Sequence, residues 1–173
     1  MTLDGQASGQ ETSEILVFEL LDSYDQRVTT DNGSTALLVA ANDNTTVAGI
    51  TKADSKNGLF TFDSFSITAE PGTTAKIAVE SPAIDVSLGE SESFELGISV
   101  SMRECIQGEI YTSKGECLEC EAGLYALEED ATTCEKCPDG ATCNGRSEIC
   151  VNSGKWRSSN ETDIIWDCPY EQA

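Results

Sequence analysis

Along the first hundred residues the apolar positions recur with a period of two. In Ala75-Lys76-Ile77-Ala78-Val79-Glu80 the odd positions are apolar, and in Phe94-Glu95-Leu96-Gly97-Ile98-Ser99-Val100 the even ones are. Each segment therefore places one face on a core and the other in water, as a half-buried strand does. Ile15-Leu16-Val17-Phe18-Glu19-Leu20 differs, being apolar on both faces. Residues 35–41, 47–51 and 59–69 add further apolar runs. In the last of these Phe60 and Phe62 occupy even positions, whereas Phe65, Ile67 and Ala69 occupy odd ones. A regular strand cannot change phase, so a bulge or corner is expected at Asp63-Ser64. Asp31-Asn32-Gly33, Asn57-Gly58, Pro71-Gly72 and Ser81-Pro82 supply turn chemistry between the runs. The pattern predicts an all-β fold, with seven to nine short strands in an antiparallel sandwich over residues 14–101. Residues 1–13 are polar and contain Gly and Ser, so they read as an N-terminal arm.

Beyond residue 101 the periodicity fades and cysteine takes over. All 8 cysteines lie there: Cys105, Cys117, Cys120, Cys134, Cys137, Cys143, Cys150 and Cys168. An even number concentrated in one polar segment reads as a set of disulfides, which places the chain in an oxidising, extracellular compartment. The two Cys-x2-Cys pairs, Cys117/Cys120 and Cys134/Cys137, are also the spacing of a four-thiolate zinc site. Zinc would leave the other four cysteines unexplained, so no metal is assigned. About 70 residues with few aliphatics cannot bury enough surface to hold together by packing alone. Residues 102–173 are accordingly expected as a disulfide module with little regular structure, with Tyr125, Trp156 and Trp166 forming a small core.

Charge changes the picture mainly by exclusion. Residues 1–101 carry 16 acids and 4 bases, net −12; residues 102–173 carry 15 and 6, net −9. Neither half has a basic face for nucleic acid or an anionic membrane, and neither partner is expected. No run approaches the ~20 apolar residues of a membrane span. The first residues lack a basic start and apolar run, so the chain is read as a mature product or a segment of a longer precursor. Three sequons, at Asn32, Asn44 and Asn160, predict N-linked glycans, foremost at Asn44 in its polar turn.

Two stretches resemble known families. Phe18-Glu19-Leu20-Leu21-Asp22-Ser23-Tyr24-Asp25-Gln26-Arg27-Val28 is similar to the opening of immunoglobulin-like repeats of the filamin and bacterial adhesin type. Gly58-Leu59-Phe60-Thr61-Phe62 and Ile67-Thr68-Ala69-Glu70-Pro71-Gly72-Thr73 resemble a later strand, turn and strand of those repeats. Cys117-Leu118-Glu119-Cys120-Glu121-Ala122-Gly123-Leu124-Tyr125 and Cys134-Glu135-Lys136-Cys137-Pro138-Asp139-Gly140-Ala141-Thr142-Cys143-Asn144-Gly145 are similar to EGF-like, ephrin-receptor-like and tumour-necrosis-factor-receptor-like modules. With Gly154-Lys155-Trp156-Arg157-Ser158-Ser159 and the closing Trp166-Asp167-Cys168-Pro169, this segment resembles cysteine-rich modules of large protist surface proteins. The resemblance implies a structural or adhesive extracellular module without catalytic residues. By analogy with the receptor-like repeats it implies the pairing Cys105–Cys117, Cys120–Cys134, Cys137–Cys150 and Cys143–Cys168.

Candidate chemistry is sparse. The chain has no histidine, which excludes histidine-dependent triads, and no spacing singles out a catalytic carboxylate pair among its 31 acids. An enzyme is not expected, nor a cofactor. Asp22, Asp25 and Asp31 offer oxygen ligands but lack EF-hand spacing, and are read as solvated carboxylates. The remaining readings are a glycosylated structural protein that assembles head to tail with copies of itself into a filament or coat, and an adhesin or receptor ectodomain. Assembly is expected through Leu16, Val17, Phe18 and Leu20, because a two-faced apolar strand behind a flexible arm can add to a neighbour's sheet edge. The other possibility is that residues 14–21 form the first strand of their own sandwich.

Overall fold

A computed structural model describes residues 1–84, 95–129 and 131–169. Its described residues form strands, turns and loops without helix, and the chain divides between Arg103 and Glu104 into two compact units. The first unit contains nine described strands: β1 (Thr2–Gln6), β2 (Leu16–Glu19), β3 (Thr35–Ala40), β4 (Thr46–Gly49), β5 (Lys52–Asp54), β6 (Leu59–Phe62), β7 (Phe65–Thr68), β8 (Thr74–Glu80) and β9 (Glu95–Met102). Five make one sheet in the order β1-β9-β8-β3-β5, while β2–β6 and β4–β7 form separate antiparallel ladders.

One apolar core draws on all three. The sheet supplies Ala36, Leu38, Ala75, Ile77, Val79, Ile98, Val100 and Met102, the first ladder Leu16, Phe60 and Phe62, and the second Phe65 and Ile67. These are mostly the alternating positions of the sequence, with two departures: Leu96, on the face expected to be buried, is 41% exposed, and Ala78, expected to face water, is fully buried. Phe94, at the head of the last predicted run, lies outside the described residues. The phase change at Asp63-Ser64 is a corner: β6 ends at Phe62 and β7 begins in the other ladder at Phe65, with Phe62 and Phe65 both buried. Asn57-Gly58 makes the two-residue turn that its sequence signals, with φ of 53° and 75° and Lys56 bridged to Leu59. A Cβ on Gly58 would stand 2.5 Å from the Val28 carbonyl oxygen, so this position requires glycine on two counts.

The first thirteen residues are not an arm. β1 runs parallel to β9, with Leu3 opposite Val100, and Leu3 is buried in the core. The chain then passes to β7, where Gly9 and Thr12 donate backbone N–H groups to the carbonyls of Ile67 and Phe65. Ser8 fixes the crossing: its hydroxyl donates to the Ala69 carbonyl at 2.7 Å and accepts from the Ala69 N–H at 3.1 Å. The polar composition that suggests an arm here satisfies backbone groups inside the fold instead.

The second unit is a set of four two-stranded ribbons. They pair β10 (Glu109–Tyr111) with β11 (Cys117–Glu119), β12 (Leu124–Tyr125) with β13 (Glu135–Lys136), β14 (Ala141–Gly145) with β15 (Glu148–Val151), and β16 (Lys155–Trp156) with β17 (Trp166–Asp167). Short backbone bonds join neighbours: Cys120 N–H to Gly108, Arg146 N–H to Cys120, and Gly123 N–H to Cys143, all at 2.8–2.9 Å. The accompanying core is small, with Tyr125, Cys143 and Ile149 at its centre and Leu127, Ala141 and Ile165 at its margin.

Candidate assembly and modification sites

The strand expected to donate itself is already paired. β2 runs antiparallel to β6 with Leu16 opposite Phe62 and Phe18 opposite Phe60. Leu16 has no exposed surface, and Phe18 meets Phe62 edge to face with ring centroids 6.2 Å apart. Leu16, Phe18 and Leu20 thus belong to the core side of their own unit, and only the alternate residues remain for other work. Ile15, Val17 and Leu21 point outward, with Val17 51% exposed. Among the described residues β2 pairs on one side alone, with β6. One face is therefore in the core and the other in water, apolar at Ile15, Val17 and Leu21 and interrupted by Glu19.

In the cysteine module three disulfides form: Cys105–Cys117, Cys120–Cys134 and Cys137–Cys143. The first two follow the receptor-like analogy. The pairings Cys137–Cys150 and Cys143–Cys168 are corrected, and Cys150 and Cys168 are free thiols. The β14–β15 hairpin explains the first of these changes. Cys143 stands opposite Ile149 and both are buried, whereas Cys150 stands opposite Thr142 on the other, exposed face. Cys143 meets Cys137 at a Cα–Cα distance of 5.7 Å, inside the range a disulfide needs. The structure also divides the two Cys-x2-Cys pairs among three separate disulfides, so they do not make a four-thiolate site.

Among the described residues one cluster gathers metal-type ligand atoms: Cys105, Glu109 and Cys117. Its two sulfurs are bonded to each other, leaving no thiolate for a metal. Glu109, at the start of β10, is buried there and accepts the Ile106 N–H at 3.1 Å, a structural role for its carboxylate. Asp22, Asp25 and Asp31 do not converge into such a cluster. Asp22 instead accepts the N–H groups of Tyr24 and Gln26 at 2.8 and 3.0 Å, closing its own turn. Asp31 accepts the Ser34 hydroxyl at 2.9 Å and the Gly33 N–H at 3.4 Å. Ser55 foremost, against the opposing desolvation that comes next, and then Ser34 and the Gly33 and Ser34 backbone hold its carboxyl below the ordinary 3.8.

The three sequon asparagines are all exposed. Asn44 lies in the turn closed by the Thr45 N–H on the Asn42 carbonyl, between β3 and β4. The Asn32 carbonyl oxygen accepts the Asn57 N–H at 3.0 Å and its amide donates to Thr30 at 3.3 Å, tying two turns together. Asn160 sits in the loop that joins β16 to β17. That loop is shaped by Arg157, which donates to the carbonyls of Asn160 and Thr162, and by Tyr125, whose hydroxyl donates to Asp163 at 2.7 Å. Desolvation first, and the neighbouring Asp163 carboxylate second, push the Tyr125 hydroxyl up to about 12.

The tryptophans depart from expectation. Tyr125 is in the small core, but Trp156 and Trp166 are directly opposed on the β16–β17 ribbon and 45% and 56% exposed. Alternation explains the reversal. Ile165 turns into the core beside Tyr125 and Ile149, so Trp166 and its partner Trp156 face away from it. Comparison with protein-family models, with curated proteins and with solved structures found no match for this chain.

Proposed function

We propose that this chain is an extracellular, glycosylated structural subunit that assembles with copies of itself. Three disulfides in a ribbon unit with a minimal core support an oxidising compartment. The observation that carries assembly is the outer face of β2 and its flanks, where Ile15, Val17 and Leu21 are exposed around Glu19 on a strand paired at one edge among the described residues. In a molecule of net charge −21, Arg27 pairs with that Glu19 at 3.4 Å, so copies can meet here over apolar side chains and a neutralised carboxylate. The β2 backbone offers hydrogen bonds to a further strand, and the alternating side chains give that pairing a register. Where the contact is head to tail and its rotation does not close a ring, the product is a filament or coat.

Val17→Lys tests this reading, because it charges the exposed face and leaves Leu16 and Phe18 in place. Wild-type protein is expected to sediment as a concentration-dependent series and to give regular fibres in electron micrographs, and the variant to remain a monomer. Fibres from the variant indistinguishable from wild type would remove β2 from the assembly. A wild-type monomer at all concentrations that binds a soluble or cell-surface ligand would replace the proposal with the adhesin reading.

A further inference from the structure

Trp156 and Trp166 have the largest aromatic exposures among the described residues of the ribbon unit. Two indoles directly opposed on neighbouring strands lie side by side on one face, about 5 Å apart at Cβ. The opposite face of the same ribbon carries the Lys155–Asp167 ion pair. The ribbon thus separates a charged side from an apolar aromatic side. An exposed pair of tryptophans of this kind calls for an occupant.

The chain places one within reach. Asn160 heads the sequon Asn160-Glu161-Thr162 in the loop between the two tryptophans, and it is exposed. Arg157, next to Trp156, donates to the Asn160 carbonyl at 3.5 Å and to the Thr162 carbonyl at 3.3 Å. The sequon therefore stands in the nine-residue loop, 157–165, that joins the two tryptophans, and Arg157 holds that loop's backbone in place. We infer that Trp156 and Trp166 are a platform for the first sugars of an N-linked glycan on Asn160. Saccharide rings present flat C–H faces that pack on indole, and their hydroxyls stay in water, which suits an apolar surface at a wet boundary.

The inference rests on passage through a secretory compartment, where the donor is a lipid-linked pyrophosphate oligosaccharide. The Asn160 side-chain nitrogen bonds to the anomeric carbon of the first sugar, and the bond from that carbon to phosphate breaks. The electron pair leaves on the lipid pyrophosphate, and the amide proton passes to a base of the transferase.

The chain contains only 2 tryptophans, both on this ribbon, so indole fluorescence reads the site alone. The test uses full-length protein secreted from a eukaryotic host, compared with the same protein after glycosidase trimming and with Asn160→Gln. The expected result is a glycan at Asn160, with acrylamide quenching rising about twofold on trimming and in the variant as the indole faces open to solvent. Ring-current-shifted sugar protons should be present in wild type and absent in Trp156→Ser/Trp166→Ser, which retains the glycan. An unmodified Asn160, or a glycan whose removal leaves quenching unchanged, overturns the inference. So does protection that depends on protein concentration and not on the glycan, which would assign the face to a second copy. An unmodified Asn160 or unchanged quenching leaves fibre formation through Val17 untouched, so the two proposals fail separately.

Discussion

Among its described residues the first unit buries sixteen apolar residues in one cluster, including Phe60, Phe62, Phe65, Ile67 and Ile77. The second centres its core on Tyr125, Cys143 and Ile149 and closes its loops with three covalent links. One unit is held by what its native state removes from water, the other largely by what its unfolded state is denied. Closing loops of 12, 14 and 6 residues in separation restricts the unfolded chain by about 2–3 kcal/mol each. Burying a large aliphatic or aromatic side chain contributes a similar amount. A disulfide thus substitutes for roughly one core side chain, and it does so where the sequence has few aliphatics to offer.

The largest expected effect follows from that difference. A thiol reductant at neutral pH should unfold the second unit and leave the first intact, since cysteine is confined to residues 105–168. Hydrogen exchange should show protection lost across β10 to β17 and kept in β8 and β9. Simultaneous loss in both units would show that the ribbon unit is required for the sandwich to fold, and the comparison would break. The converse variant is Phe62→Ala. Phe62 is fully buried between Phe18 and the sheet, and truncation there should cost about 3–5 kcal/mol. The loss should appear as exchange in the first unit, with the ribbon unit unchanged.

A smaller effect is expected for Cys137→Ala/Cys143→Ala, about 2 kcal/mol, because the loop it opens is the shortest of the three. The same module should show two alkylatable thiols under denaturing, non-reducing conditions, at Cys150 and Cys168. Peptide mapping that finds no free thiol would require a fourth link and a rearranged β14–β15 hairpin or tail.

How far the sequence was legible also divides by unit. In the sandwich, period-two burial is local, so Ala75, Ile77 and Val79 announce their face without knowledge of their partners. The corner at Asp63-Ser64 is equally visible, because a phase change needs only the strand itself. β1 was not legible: Leu3 is a lone apolar residue among polar ones, and Ser8 acts by binding the backbone of Ala69, 61 residues away. Only Gly5 and Gly9, bent at φ of 72° and 77°, mark that the segment turns inside a fold. In the ribbon unit the existence of disulfides follows from spacing, but connectivity depends on which face of a hairpin each cysteine takes. Cys143 and Cys150 are separated by that parity alone. The tryptophans mislead for the same reason, since composition suggests a core residue and strand parity places Trp166 outside it.

The smallest effect belongs to Tyr125, which adds a polar bond to the small core of the ribbon unit. Its ring is buried among Cys143 and Ile149, and its hydroxyl reaches out to Asp163 in the β16–β17 loop. Tyr125→Phe keeps the ring and removes the bond. Because Asp163 is exposed and regains water, the cost should be about 1 kcal/mol, below that of opening any disulfide. The pH dependence has a definite sign. Burial and the Asp163 charge favour the protonated phenol, raising it from 10.0 to about 12 in the folded state. The folded form then holds a proton that the unfolded form has released, so this stabilisation is complete below pH 10 and is lost as pH rises toward 12. Wild-type stability should fall across that window, and Tyr125→Phe should lose that part of the slope. A variant with the wild-type alkaline slope would mean that the loop is held by Arg157 and Ile165 without help from the phenol.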